Sequence, residues 1–99
     1  MALKKMIKVE FSKHYLRMRL KLVKRDPLLK QKYDKFIHIF MLDPFYPSLK
    51  THKVNISTFG LVYSSRVTGN IRIIWKYLNR DTIVILTTGG HEGKSSVYK

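Results

Sequence analysis

The chain has 99 residues, 44% of them hydrophobic and 12% aromatic, enough apolar material for a single folded domain over 1–99 and too little length for a catalytic domain plus a separate recognition domain. It contains no cysteine, which excludes disulfide stapling, thiolate zinc sites and a cysteine nucleophile. Twenty Lys+Arg against six Asp+Glu give a formal charge of +14, beyond the magnitude of about 2 to 8 that solubility requires, and direct the chain toward a polyanion.

In chain order, the N-terminal MALKKMIKVEFSKHY lacks the apolar run of a signal peptide, and no segment approaches the ~20 apolar residues that span a bilayer. The expectation is a complete, cytoplasmic chain with no membrane partner. Met6 to Phe11 is rich in strand formers and reads as a first strand. Ser12 follows as an N-cap, and a basic helix runs to about Arg25 with Tyr15, Leu16, Leu20 and Val23 at helical spacing. Asp26-Pro27 reads as N-cap plus N1 proline of a second helix, whose apolar face is Leu29, Tyr33, Phe36, Ile37 and Phe40. That helix stops before Asp43-Pro44, and a loop continues through Pro47. Leu61–Val67, Ile71–Leu78 and Thr82–Thr88 are β-rich runs separated by Thr68-Gly69-Asn70 and Asn79-Arg80-Asp81. They predict an antiparallel three-stranded meander that joins the first strand in one sheet under an αα-hairpin, an α+β fold. Gly89-Gly90 is expected to turn the chain sharply, so that His91 to Lys99 adds little to the core.

Four histidines are present. His14 and His38 lie on the helices and read as packing residues. His52, in the loop region before the sheet, and His91, just past the last strand, stand where rigid elements hand over to loops. No ligand spacing for a metal emerges, since only Glu92 adjoins a histidine. The serines lack a glycine elbow, and the glycine pair is no phosphate loop. Trp75 and Tyr77 read as packing residues of the sheet. Basic side chains and imidazoles suffice for RNA cleavage, which needs removal of the 2′-OH proton, protonation of the 5′-oxygen and neutralisation of phosphate charge.

Three stretches in order, Leu49-Lys50-Thr51-His52-Lys53-Val54, then YSSRVTGNIRIIWKY from Tyr63 to Tyr77, then TTGGHEGKSSVY from Thr87 to Tyr98, resemble the RelE/ParE superfamily of type II toxins, and within it the YafQ-like mRNA interferases. The resemblance implies a RelE-like fold and a metal-independent endoribonuclease without cofactor. It also implies entry into the ribosomal A site, mRNA cleavage by 2′-OH attack, and silencing by an antitoxin protein. By the same resemblance His52 and His91 match the family's histidines, and Arg66 and Arg72 fall where phosphate-contacting basic residues stand. Lys50, Lys53, Asn70, Lys94 and Tyr98 would contact RNA, Tyr98 by stacking on a base. Where YafQ-like members carry a histidine and an aspartate around the central turn, this chain reads Arg66 and Asn70, which moves proton transfer toward His52 and His91. Two other functions stay open: a ParE-like toxin that inhibits DNA gyrase and cuts nothing, and a basic nucleic-acid-binding module. A histidine at both loop ends favours the nuclease.

Overall fold

A computed structural model describes residues 7–90 and 97–98. Its elements in chain order are β1 (Lys8–Phe11), α1 (Lys13–Arg25), α2 (Leu28–Leu42), a 3-10 turn (Pro47–Leu49), β2 (His52–Ile56), β3 (Gly60–Arg66), β4 (Ile71–Asn79) and β5 (Thr82–Gly90). The five strands form one sheet in the order β1-β5-β4-β3-β2. β1 runs parallel to β5, while β2 to β5 form an antiparallel meander. The expected strand, helix hairpin and meander are all present, in RelE-like order.

Three local readings are corrected. The meander has one more strand than the β-rich runs announce, because His52–Ile56 pairs with Gly60–Arg66. A lysine and an asparagine dilute its β signal, as is common on an edge strand, where exposed charge discourages further pairing. Its apolar positions, Val54 and Ile56, nevertheless alternate as a strand with one covered face requires. Gly89 and Gly90 do not turn: they pair with Arg72 and Ile71 as the last residues of β5. On α1, Leu16 and Leu20 are about half exposed and Tyr15 is the fully buried residue, with Leu22 and Val23 partly covered. The helix rolls its aromatic inward and leaves part of its leucine stripe to solvent.

The start of α1 follows from a side-chain cap. Ser12 accepts the Tyr15 amide with its Oγ at 3.0 Å and donates to the Leu86 carbonyl at 2.8 Å, so one residue starts α1 and ties it to β5. Asp26 closes α1 with its own amide on the Leu22 carbonyl, and its carboxylate accepts the Leu28 amide; the cap position of α2 is nevertheless Pro27, one residue later than expected, and it has no side-chain cap.

Both faces of the sheet carry apolar packing. Under the helices, Tyr15, Tyr33, Phe36 and Phe40 meet Ile73, Trp75, Ile83 and Ile85. On the opposite face a smaller cluster joins Ile56, Val62 and Ile74 to Val97, with Val54, Phe59, Leu86 and Tyr98 around it. Val97 is buried, and its amide donates to the Gly90 carbonyl. The end of the chain therefore adds to the core on this side, against the expectation that it would not.

Candidate functional site

Register decides which side chains meet, because alternation sends every second residue to the same face. His52 lies opposite Ser64, Ser64 opposite Ile74, and Ile74 opposite Thr87. One row of side chains thus crosses four strands on the face that the helices leave open. Two residues along β3 the next row is Arg66 opposite Arg72, with Gly89 beyond. Residues directly opposite have Cβ atoms about 4.5–5.5 Å apart, and diagonal neighbours such as His52 and Arg66 lie about 7–8 Å apart. Two guanidinium-bearing positions and an imidazole position therefore share one patch of this face.

The imidazole is oriented by its own loop. Lys50 ends the 3-10 turn in the left-handed region, φ 50°, and its carbonyl lies 2.9 Å from Nδ1 of His52. A carbonyl only accepts, so Nδ1 carries a proton, and Nε2 is the ring nitrogen not engaged by this contact. His52 is exposed, which leaves that nitrogen open to a substrate. The preceding residue is pinned by a chain of hydrogen bonds that reaches into the core. The Trp75 indole donates to Ser65 at 2.8 Å, Ser65 donates to Thr51 at 2.6 Å, and Thr51 donates to the Pro44 carbonyl at 2.6 Å. The direction is fixed at both ends, since an indole N–H cannot accept and a carbonyl cannot donate.

The arginines are held by the β3–β4 turn. Thr68 shapes that turn by accepting the Asn70 and Ile71 amides with Oγ1. The Thr68 carbonyl accepts from Arg66 Nε at 3.2 Å and from Arg72 Nη1 at 2.8 Å, and Arg72 Nη1 also reaches the Gly69 carbonyl. Like charges directly opposite on a sheet are destabilising, so sheet stability does not favour this pair. Each guanidinium keeps N–H donors beyond those used on the turn, in the planar fork that matches phosphate oxygens.

Tyr98 comes over this face from the other end of the chain. Its hydroxyl lies 2.7 Å from Ser64 Oγ, beside the His52 position, and its ring packs on the smaller apolar cluster. Lys50 is exposed beside His52, and Asn70 is exposed in the β3–β4 turn. Lys53 lies opposite Tyr63, whose ring stacks on Trp75 at 4.6 Å, so alternation places Lys53 on the other face from His52. His91 and Lys94 lie outside the described residues. Ser64, Ser65 and Thr51 were missed in the sequence. Their signal was available, since small hydroxyl residues at consecutive positions of a central strand require buried partners. Among the described residues every buried side-chain nitrogen and oxygen has one.

Among the described residues no group of three or more His, Cys, Asp or Glu is placed to hold a metal, and no helix is long and apolar enough to cross a membrane.

No protein-family model and no curated protein matches the chain. Solved structures do. A YoeB/ParE toxin from Agrobacterium tumefaciens superposes with a TM-score of 0.68 at 15% identity, over 87% of this chain and 100% of that one. The chain has the fold of these toxins. The E. coli DinJ-YafQ toxin-antitoxin complex is similar with a TM-score of 0.63 at 21% identity, over 88% of this chain and 94% of that one. A conserved hypothetical protein from Helicobacter pylori is similar at 0.63 and 16% identity, over 87% and 96%. At these identities the likeness is one of architecture.

Proposed function

We propose that this chain is the toxin of a toxin-antitoxin pair and acts in the cytoplasm as an endoribonuclease on mRNA in the ribosomal A site. The observation that carries the reading is the shared open face: His52, Arg66 and Arg72 in adjacent rows, with Nε2 not engaged by the Lys50 contact and two guanidinium groups aimed by one turn. The fold of YafQ and YoeB/ParE toxins and the formal charge of +14 support it.

In the reaction the RNA supplies its own nucleophile. His52 Nε2 takes the proton of the 2′-OH, the 2′-oxygen attacks phosphorus, and the P–O5′ bond breaks to leave a 2′,3′-cyclic phosphate. Arg66 and Arg72 neutralise the charge that builds on the phosphate oxygens. A second group must deliver a proton to the departing 5′-oxygen, and His91 is the residue we assign to that step. Lys50, Asn70, Lys94 and Tyr98 would contact the flanking RNA, and Lys53 would do so only from the edge of β2. An antitoxin protein is the silencing partner, by analogy with the complex that YafQ forms with DinJ.

The test is translation in vitro followed by primer extension on the mRNA. Cleavage that requires ribosomes and disappears in His52→Ala is the expected result. Intact mRNA together with inhibited supercoiling by DNA gyrase would replace this reading with the ParE-like one, and RNA binding with neither effect would leave a nucleic-acid-binding module.

A further inference from the structure

A second cationic feature lies beside the open face, between α2 and the β3–β4 turn. It is a groove of about 390 Å3 lined by Lys32, Lys35 and Arg66 over Phe36, Ile39 and Leu49, with Ser48 and residues 67–69 at its rim. Lys32, Lys35, Phe36 and Ile39 stand at i, i+3, i+4 and i+7 of α2, which is one helical face. Phe36 and Leu49 are buried in the main core and give the groove a fixed floor.

The charges on its walls have no protein counterpart. No acidic residue lines the groove. The ion pairs among the described residues both use Asp34, which binds Arg19 and Lys30. Two lysines three positions apart weaken a helix by mutual repulsion, and here a guanidinium faces them across the groove. Such a site is completed by an anion. Its volume, within the range of roughly 300 to 1,000 Å3 typical of small-ligand sites, and its apolar floor exceed what a lone carboxylate side chain would occupy. A phosphate that carries a ribose and a base uses both features.

We propose that this groove binds a nucleotide of single-stranded RNA flanking the cleavage site. Its phosphate would lie among Lys32, Lys35 and Arg66, and its base or ribose over Ile39 and Val67. The proposal rests on the RNA reading above and extends it to residues outside the open face. Arg66 joins the two places: it stands opposite Arg72 at the end of β3 and also lines the groove. An RNA strand leaving the open face past Arg66 therefore meets Lys32 and Lys35 next.

The experiment uses the full chain and a short, fully 2′-O-methylated single-stranded RNA, which lacks the nucleophile and stays uncut. Binding is followed by fluorescence anisotropy across a salt series for the wild type, for Lys32→Gln/Lys35→Gln, and for Lys21→Gln/Lys24→Gln, which removes the same charge from exposed positions of α1. The groove variant is expected to bind about ten-fold more weakly, with a salt slope smaller by about 0.7, the value for one lost phosphate contact on a single strand. The α1 variant is expected to change little. Adenosine 3′,5′-bisphosphate is expected to shift the amide resonances of Val67, Thr68 and Gly69 in the wild type and not in the groove variant.

Equal losses in the two variants would overturn the proposal, since total charge would then explain the binding. Unchanged RNA affinity with lost binding of a polyglutamate peptide would overturn it in favour of an acidic protein partner. The two readings fail separately. A wild type that cuts no mRNA while the groove variant still loses RNA affinity removes the nuclease and keeps the groove, whereas cleavage with equal binding by both variants does the reverse.

Discussion

The two faces of the sheet are built to different rules. The helix-covered face is an aromatic core: Phe40 and Trp75 meet edge to face at 5.1 Å, Tyr15 and Tyr33 at 6.5 Å, and all four are fully buried. Its polar atoms are absorbed inward. Tyr33 donates to Thr88 at 2.7 Å, because the Thr88 hydroxyl is already committed to the Arg72 carbonyl at 2.8 Å. The open face has a thinner apolar layer and, beside it, a row of groups that gain nothing from one another. A mutation on the first face should therefore cost stability, and one at His52, Arg66 or Arg72 on the second should cost function.

The largest effect is expected at His52. His52→Ala should lower mRNA cleavage by about 10²- to 10⁴-fold, the usual worth of a general acid or base, with an unchanged thermal midpoint. Primer extension and a melting curve on the same preparation separate the two quantities. Next comes Phe40→Ala on the covered face, expected to destabilise by about 3–5 kcal/mol through loss of a buried ring. Urea unfolding measures it, and a value below about 1 kcal/mol would mean that the helix hairpin is not what stabilises the sheet.

The covered face also predicts alkaline lability. Burial raises the phenol pKa of Tyr15 and of Tyr33 above the ordinary 10.0. For Tyr15 the neighbouring Tyr33 adds to the rise, while Arg19 works against it in both. In the unfolded chain these phenols ionise near pH 10, whereas in the folded chain they stay protonated. The stability they contribute is complete below pH 10 and falls as pH rises beyond it toward their folded values. Each contributes a slope of at most about 1.4 kcal/mol per pH unit. Tyr15→Phe/Tyr33→Phe should flatten the decline in urea stability above pH 10, and an equally steep decline would place its origin elsewhere.

The smallest effect belongs to Tyr98 on the open face. Tyr98→Phe removes the hydroxyl contact with Ser64 and should cost about 1 kcal/mol, while deletion of Tyr98-Lys99 should cost more, because the Tyr98 ring also packs against the cluster of Ile56, Val62, Ile74 and Val97. If that deletion leaves stability unchanged but abolishes cleavage, Tyr98 serves RNA alone, and the contrast between the faces becomes sharper.

What the sequence determined by itself is the set of local decisions. Ser12 caps α1 because its short side chain reaches a nearby amide. Leu29, Tyr33, Phe36 and Phe40 declare the buried face of α2 by their spacing, and Thr68-Gly69-Asn70 declares a turn. The candidate histidine and both arginines were legible as residue types. Only the tertiary structure decided which of them stand together. β2 is too short and too polar to announce itself, yet its pairing with β3 sets His52 beside Ser64 and turns Lys53 away, since a one-residue change of register would exchange the two faces. The burial of Val97, the contact of Tyr98 with Ser64 and the groove beside Lys32 and Lys35 join residues far apart in sequence. No local periodicity records contacts of that kind, which exist only once the sheet has closed its register and the helices have packed on one side of it.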